Sequence, residues 1–110
     1  MSFFEKLYLY QSYVWRYQIT QEFAKQYRYA LKWVDLFPDS GPELQNNVPL
    51  YLKGMHNLLN ALYLTVQYEK FKEVLYQLES FRDSTKIVLN DNERSLLTLF
   101  VYIHLSLIHI

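Results

Sequence analysis

Three features of this 110-residue sequence predict an all-α fold. Apolar side chains recur at three- and four-residue spacing along nearly the whole chain. Two-residue alternation never persists for a strand length, and only 2 glycines interrupt the pattern. The length suits one domain spanning 1–110, which buries roughly 65% of its unfolded surface and so needs no cross-link to form a core. About five helices, packed as antiparallel pairs, account for it.

In the first helix Phe3, Leu7, Tyr10, Val14 and Tyr17 share a face, which Phe4 and Trp15 broaden. A break at Gln18-Ile19 follows, with Thr20 as the expected N-cap of the second helix. That helix carries Phe23, Tyr27, Ala30, Val34 and Phe37 on its apolar side. Glu22, Lys25, Gln26, Arg28, Lys32 and Asp35 take the other side. The run Phe37-Pro38-Asp39-Ser40-Gly41-Pro42 ends it.

The third helix is expected to start at Asn47 as cap, with Pro49 in the first turn, where a missing N–H costs nothing. Its face is Tyr51, Met55, Leu58, Leu62 and Val66, with Leu52, Leu59 and Tyr63 alongside. Gly54 inside it costs about 1 kcal/mol against alanine, which points to a close helix contact. The fourth helix, YEKFKEVLYQLESF, presents Phe71, Val74, Leu75, Leu78 and Phe81. Asn90 and Glu93 form a capping box for the fifth, with Leu89 as a hydrophobic staple and Leu96, Leu97, Phe100, Val101 and Ile103 as its apolar side.

Composition excludes several classes of function. The chain has no cysteine, hence no disulfide scaffold, thiolate metal site or cysteine nucleophile. Its 11 basic and 11 acidic side chains are spread evenly between the halves, so no basic face exists to hold a phosphate backbone and nucleic acid is not an expected partner. The start, MSFFEKLYLYQSYVWRYQ, lacks the cationic region and cleavage site of a signal peptide, and a cytoplasmic location is expected. The uncharged tail SLLTLFVYIHLSLIHI is shorter than the roughly 20 residues a bilayer requires and reads as a buried helix.

Catalytic constellations are missing from the sequence. His104 and His109 are five apart, not the four that places two ligands on one helix face, and no third ligand accompanies them; neither a metal nor a cofactor is expected. His104, on an apolar helix, reads as a satisfied core or interface histidine. Glu69 and Glu73 share a face with Lys70 and Lys72 close by, which is the pattern of a solvated charged surface. Neither glycine belongs to a phosphate-cradling loop. The expectation is a protein without catalytic activity.

The helices also look repeated. Placing Phe23 over Phe71 aligns Leu7 with Met55, Tyr10 with Leu58, Val14 with Leu62, Tyr27 with Leu75 and Ala30 with Leu78. The stretch NLLNALYLTVQYEKFKEVLYQLESF, with Met55, Leu58-Leu59 and Leu62 on its first helix and Phe71, Leu75 and Leu78 on its second, resembles a tetratricopeptide repeat. Asp83 stands where that family has proline, while Leu59 and Phe71 replace its small residues and predict wider packing. The resemblance is good over 50–83 and loose over 3–37, and 91–110 supplies half a repeat. It implies a short right-handed array of helix pairs whose first helices line a concave surface.

That resemblance implies a groove for a protein or peptide partner, lined by Tyr8, Trp15, Lys53, His56, Asn60, Tyr63 and Arg94. Repeats bury their apolar faces on neighbours, yet the final helix is the most apolar of all. A second copy packed on Phe100, Ile103, Leu107 and Ile110, or a further helix beyond Ile110, would cover it. The leading expectation is thus a non-catalytic interaction module, self-associating through its C-terminal helix. A ligand-sensing or regulatory domain of a larger transcription regulator is the alternative.

Overall fold

The computed structural model describes residues 1–37, 42–84 and 89–108. They form six α-helices: α1 (Phe3–Ile19), α2 (Phe23–Asp35), α3 (Pro42–Asn46), α4 (Val48–Leu64), α5 (Tyr68–Ser84) and α6 (Asp91–Ile108). The five expected helices are all present. The addition is α3, a single turn in the long connector, which buries Leu44. Pro38 to Gly41, expected to terminate α2, lie outside the described residues.

Local chemistry sets the helix ends. Ser2 caps α1 by accepting the Glu5 N–H on its hydroxyl at 3.2 Å. Thr20, expected as the cap of the following helix, instead closes α1, because the chain turns left-handed one residue later, at Gln21 (φ 59°). The Glu22 N–H then reaches the Tyr17 carbonyl and the Gln21 N–H that of Gln18, a Schellman ending. The same device recurs after α4. Val66 adopts φ 61°, Gln67 N–H bonds Leu62 O and Val66 N–H bonds Tyr63 O. Val66 therefore leaves the helix and its apolar face, and is 66% exposed. Asn47 stands at the N-cap of α4 as expected, but its amide donates back to Glu43 O at 2.9 Å and makes no side-chain cap bond there. At α6 the capping box is complete: Glu93 N–H donates to Asn90 Oδ1 at 2.8 Å and Asn90 N–H to Glu93 Oε1 at 3.0 Å.

Neighbouring helices run antiparallel. Phe3 meets Phe37 and Lys25 sits over Tyr17, so α2 returns along α1. Tyr51 meets Phe81 and Tyr63 meets Phe71, so α5 returns along α4. Helix α4 also packs on α2, while α6 lies against both α5 and α4. The molecule measures 40 × 36 × 21 Å, about two helix diameters deep. Its core runs continuously from Leu7 and Val14 through Leu52, Leu59 and Phe71 to Leu97 and Val101.

Within that core Trp33 of α2 is fully buried against α4, with its indole N–H donating to Leu50 O at 3.1 Å. It faces Gly54, so the glycine marks a close helix contact, as its position in the sequence predicts. Gln26, expected on the polar side of α2, is only 1% exposed. The buried side of α2 is centred nearer Gln26, Ala30 and Trp33 than the stripe of Phe23, Tyr27 and Val34, which are half-buried. Phe4 and Trp15, expected to broaden the apolar face of α1, are exposed.

Candidate functional site

The proposed groove residues fall into three places. Tyr8 and Trp15 stand on the outside of α1, 58% and 54% exposed, with Tyr8 stacked on Phe4 at 6.2 Å. Arg94 is exposed near the start of α6. With Ser95, Thr98, Leu99 and Tyr102, all on that helix, it lines a shallow surface depression of about 450 Å³. The remaining four belong to α4. Lys53 is exposed, whereas His56, Asn60 and Tyr63 are half-buried.

Those half-buried side chains are engaged within the chain. Tyr63 tilts against Tyr68 and Phe71, at 5.8 and 6.1 Å between ring centres. His56 turns toward α6. Its ring stacks on Phe100 at 4.4 Å with only 8° between planes, and its Nδ1 lies 2.8 Å from Nε2 of His104. Asn60, one turn further along α4, places its amide nitrogen 3.4 Å from the other His56 ring nitrogen. The structure thus joins His56 and Asn60 of the expected row to His104 and Phe100, and records no contact of either with Tyr8, Trp15 or Arg94.

His104 is fully buried, with Phe71 of α5 edge-on to it at 5.8 Å. A neutral imidazole carries one donor and one acceptor. If Asn60 donates to His56 Nε2, then His56 donates from Nδ1 to His104 Nε2, and the His104 proton sits on Nδ1. That Nδ1 has no hydrogen-bond partner among the described residues. Burial, and to a lesser degree the adjacent His56, push the His104 pKa down to about 4. Burial also lowers the pKa of His56. Both rings are consequently neutral at pH 7. His104 is a core histidine, as expected, but one with a half-satisfied ring.

This pairing is not visible in sequence spacing, because the two histidines are 48 residues apart and meet only when α6 folds onto α4. The available signal is that each sits on the border of an apolar stripe, His56 beside Met55 and His104 one turn beyond Phe100. Chemically the cluster is an internal polar joint. Among the described residues no group of three or more histidine or acidic side chains is placed to hold a metal.

The four residues proposed for self-association divide similarly. Phe100 is buried beneath His56, within the chain's own core, because α4 and not a second molecule covers it. Ile103 is exposed and Leu107 half-buried. Ile110 lies outside the described residues, as does His109. Leu99 and Tyr102, which the sequence pattern does not single out, join Ile103 on the exposed side of α6. Among the described residues no helix is long and apolar enough to cross a membrane.

No family model, curated protein or solved structure matches this chain at a significant level.

Proposed function

We propose that the chain is a non-catalytic helical interaction module that binds protein through the outer faces of its end helices, and that α6 is the face through which it self-associates. The observation that carries this reading is the exposed apolar surface of α6. Leu99, Tyr102 and Ile103 turn outward from a helix whose opposite side, with Leu97, Val101 and His104, is fully buried. Contiguous apolar surface rimmed by polar groups marks association sites in water-facing proteins. Here Arg94, Ser95 and Thr98 border it. Tyr8 and Trp15 give α1 a second aromatic face, and tyrosine and tryptophan are the residue types that anchor protein interfaces.

The sequence resemblance to tetratricopeptide repeats, the antiparallel stacking and the paired Schellman turns at Gln21 and Val66 support the same reading. The groove is revised to the outer aromatic and apolar residues, since His56, Asn60 and Tyr63 have partners within the fold.

Light scattering across a hundredfold range of concentration tests self-association, with Leu99→Asp combined with Tyr102→Ser as the variant. A rising mass for the unaltered chain and a constant 13.4 kDa species for the variant are expected. A strictly monomeric unaltered chain would overturn self-association through α6.

A further inference from the structure

We infer that the His56–His104 pair is an acid-released latch: it holds α6 on α4 and α5 while both rings are neutral, and frees α6 when one ring takes up a proton. The latch rests on geometry. A side-chain hydrogen bond between His56 and His104, at 2.8 Å, ties α4 to α6. His104 is fully buried, with the edge of Phe71 on one side and Phe100 stacked on its partner ring. Its Nδ1 has no hydrogen-bond partner among the described residues. A second proton on His104 would leave a cation with a bare N–H in a hydrocarbon setting, and a buried unpaired charge is among the costliest groups a fold can hold.

Among the described residues no neighbouring charge offsets that proton. On α4 the nearest charged side chain is Lys53, which is exposed and of the wrong sign. On α5, Lys70 and Lys72 flank Phe71, and both are exposed; Lys70 lies over Tyr27, and Lys72 is 4.0 Å from Glu69, itself 92% exposed. Glu73 is exposed as well. On α6, Arg94 is the last charged side chain before His104, also exposed and positive. Tyr63 of α4 lies beside Phe71, and Tyr102 of α6 is exposed. Among the described residues the charge effect on His104 comes from His56, and it opposes protonation.

The direction follows by linkage. A histidine whose folded pKa lies below its unfolded value contributes stability that is fully present above about pH 6.5 and drains away as pH falls towards the folded pKa. With the folded pKa at about 4, docking of α6 weakens about tenfold between pH 7.5 and 5.5. Ordinary carboxylates stay ionised throughout that window, so they do not mimic the effect.

Hydrogen exchange on the unaltered chain, with α2 as internal reference for the intrinsic pH dependence, reads the latch directly. Protection of α6 relative to α2 is expected to fall about tenfold between pH 7.5 and 5.5. A constant ratio would overturn the latch. Ring-proton titration by NMR should place His104 well below an ordinary histidine; titration of both rings near 6.5 overturns it too. In His56→Leu combined with His104→Leu, which replaces both rings by apolar side chains, the relative protection of α6 should no longer change with pH, and a persisting change counts against the pair. Should that variant not fold, the two measurements on the unaltered chain still decide.

Discussion

Replacing Gly54 with alanine sets two effects of opposite sign against each other. In a helix interior alanine is favoured over glycine by about 1 kcal/mol. An added Cβ, however, would stand 2.9 Å from Nε1, 3.0 Å from Cδ1 and 3.2 Å from Cε2 of Trp33. Real side-chain carbons do not sit so close to a ring, so the indole must retreat. It has nowhere cheap to go: Trp33 is fully buried and its N–H is bonded to Leu50 O at 3.1 Å. Overpacking of this kind costs about 1–3 kcal/mol, and loosening the hydrogen bond adds roughly 1 kcal/mol. The balance is a loss of about 1–3 kcal/mol, or roughly 4–13 °C in Tm for a chain of this size. Urea unfolding followed by tryptophan emission measures it cleanly, since Trp33 is buried while Trp15 is already exposed and shifts little. Combining Gly54→Ala with Trp33→Phe should show a coupling of at least about 1 kcal/mol, because the two groups touch. If Gly54→Ala were as stable as the unaltered chain or more so, the close approach of α2 and α4 at this point would be refuted.

Two further substitutions have clear signs. Val66 holds a left-handed conformation at φ 61°, where a β-branched residue is strained, and its side chain packs little. Val66→Gly should therefore raise stability by about 0.5–1 kcal/mol in urea unfolding, the relief of strain exceeding glycine's greater freedom in the unfolded chain. Asn90→Ala removes the acceptor for the Glu93 N–H and should cost about 1 kcal/mol, seen as increased hydrogen exchange in the first turn of α6 before any change in α1 or α2.

Much of the fold was legible from spacing alone. The capping box at Asn90 and Glu93, the contact implied by Gly54, and the stripes of α4 and α5 are local patterns that a one-dimensional string carries intact. Errors arose where neighbours decide. Gln26 reads as polar surface, yet α2 is covered by α1 on one side and α4 on another, so the buried arc is wider than its most apolar stripe. Thr20 is a good N-cap by type, but the left-handed turn at Gln21 assigns it to the end of the preceding helix.

The candidate site divides along the same line. By itself the sequence determined an all-α chain of antiparallel helices, because amphipathic period, capping residues and scarce glycine are properties of consecutive residues. It also supplied the apolar weight of α6. Which of those apolar residues remained exposed was decided only by tertiary structure. Packing on α4 and α5 buried Phe100 and left Leu99, Tyr102 and Ile103 outside. The same packing carried His56 and His104, 48 residues apart, to within 2.8 Å, with no counter-charge beside them among the described residues. Burial and partnership depend on how helices dock, and docking is set by the summed shape of whole faces, which no local pattern of residues encodes.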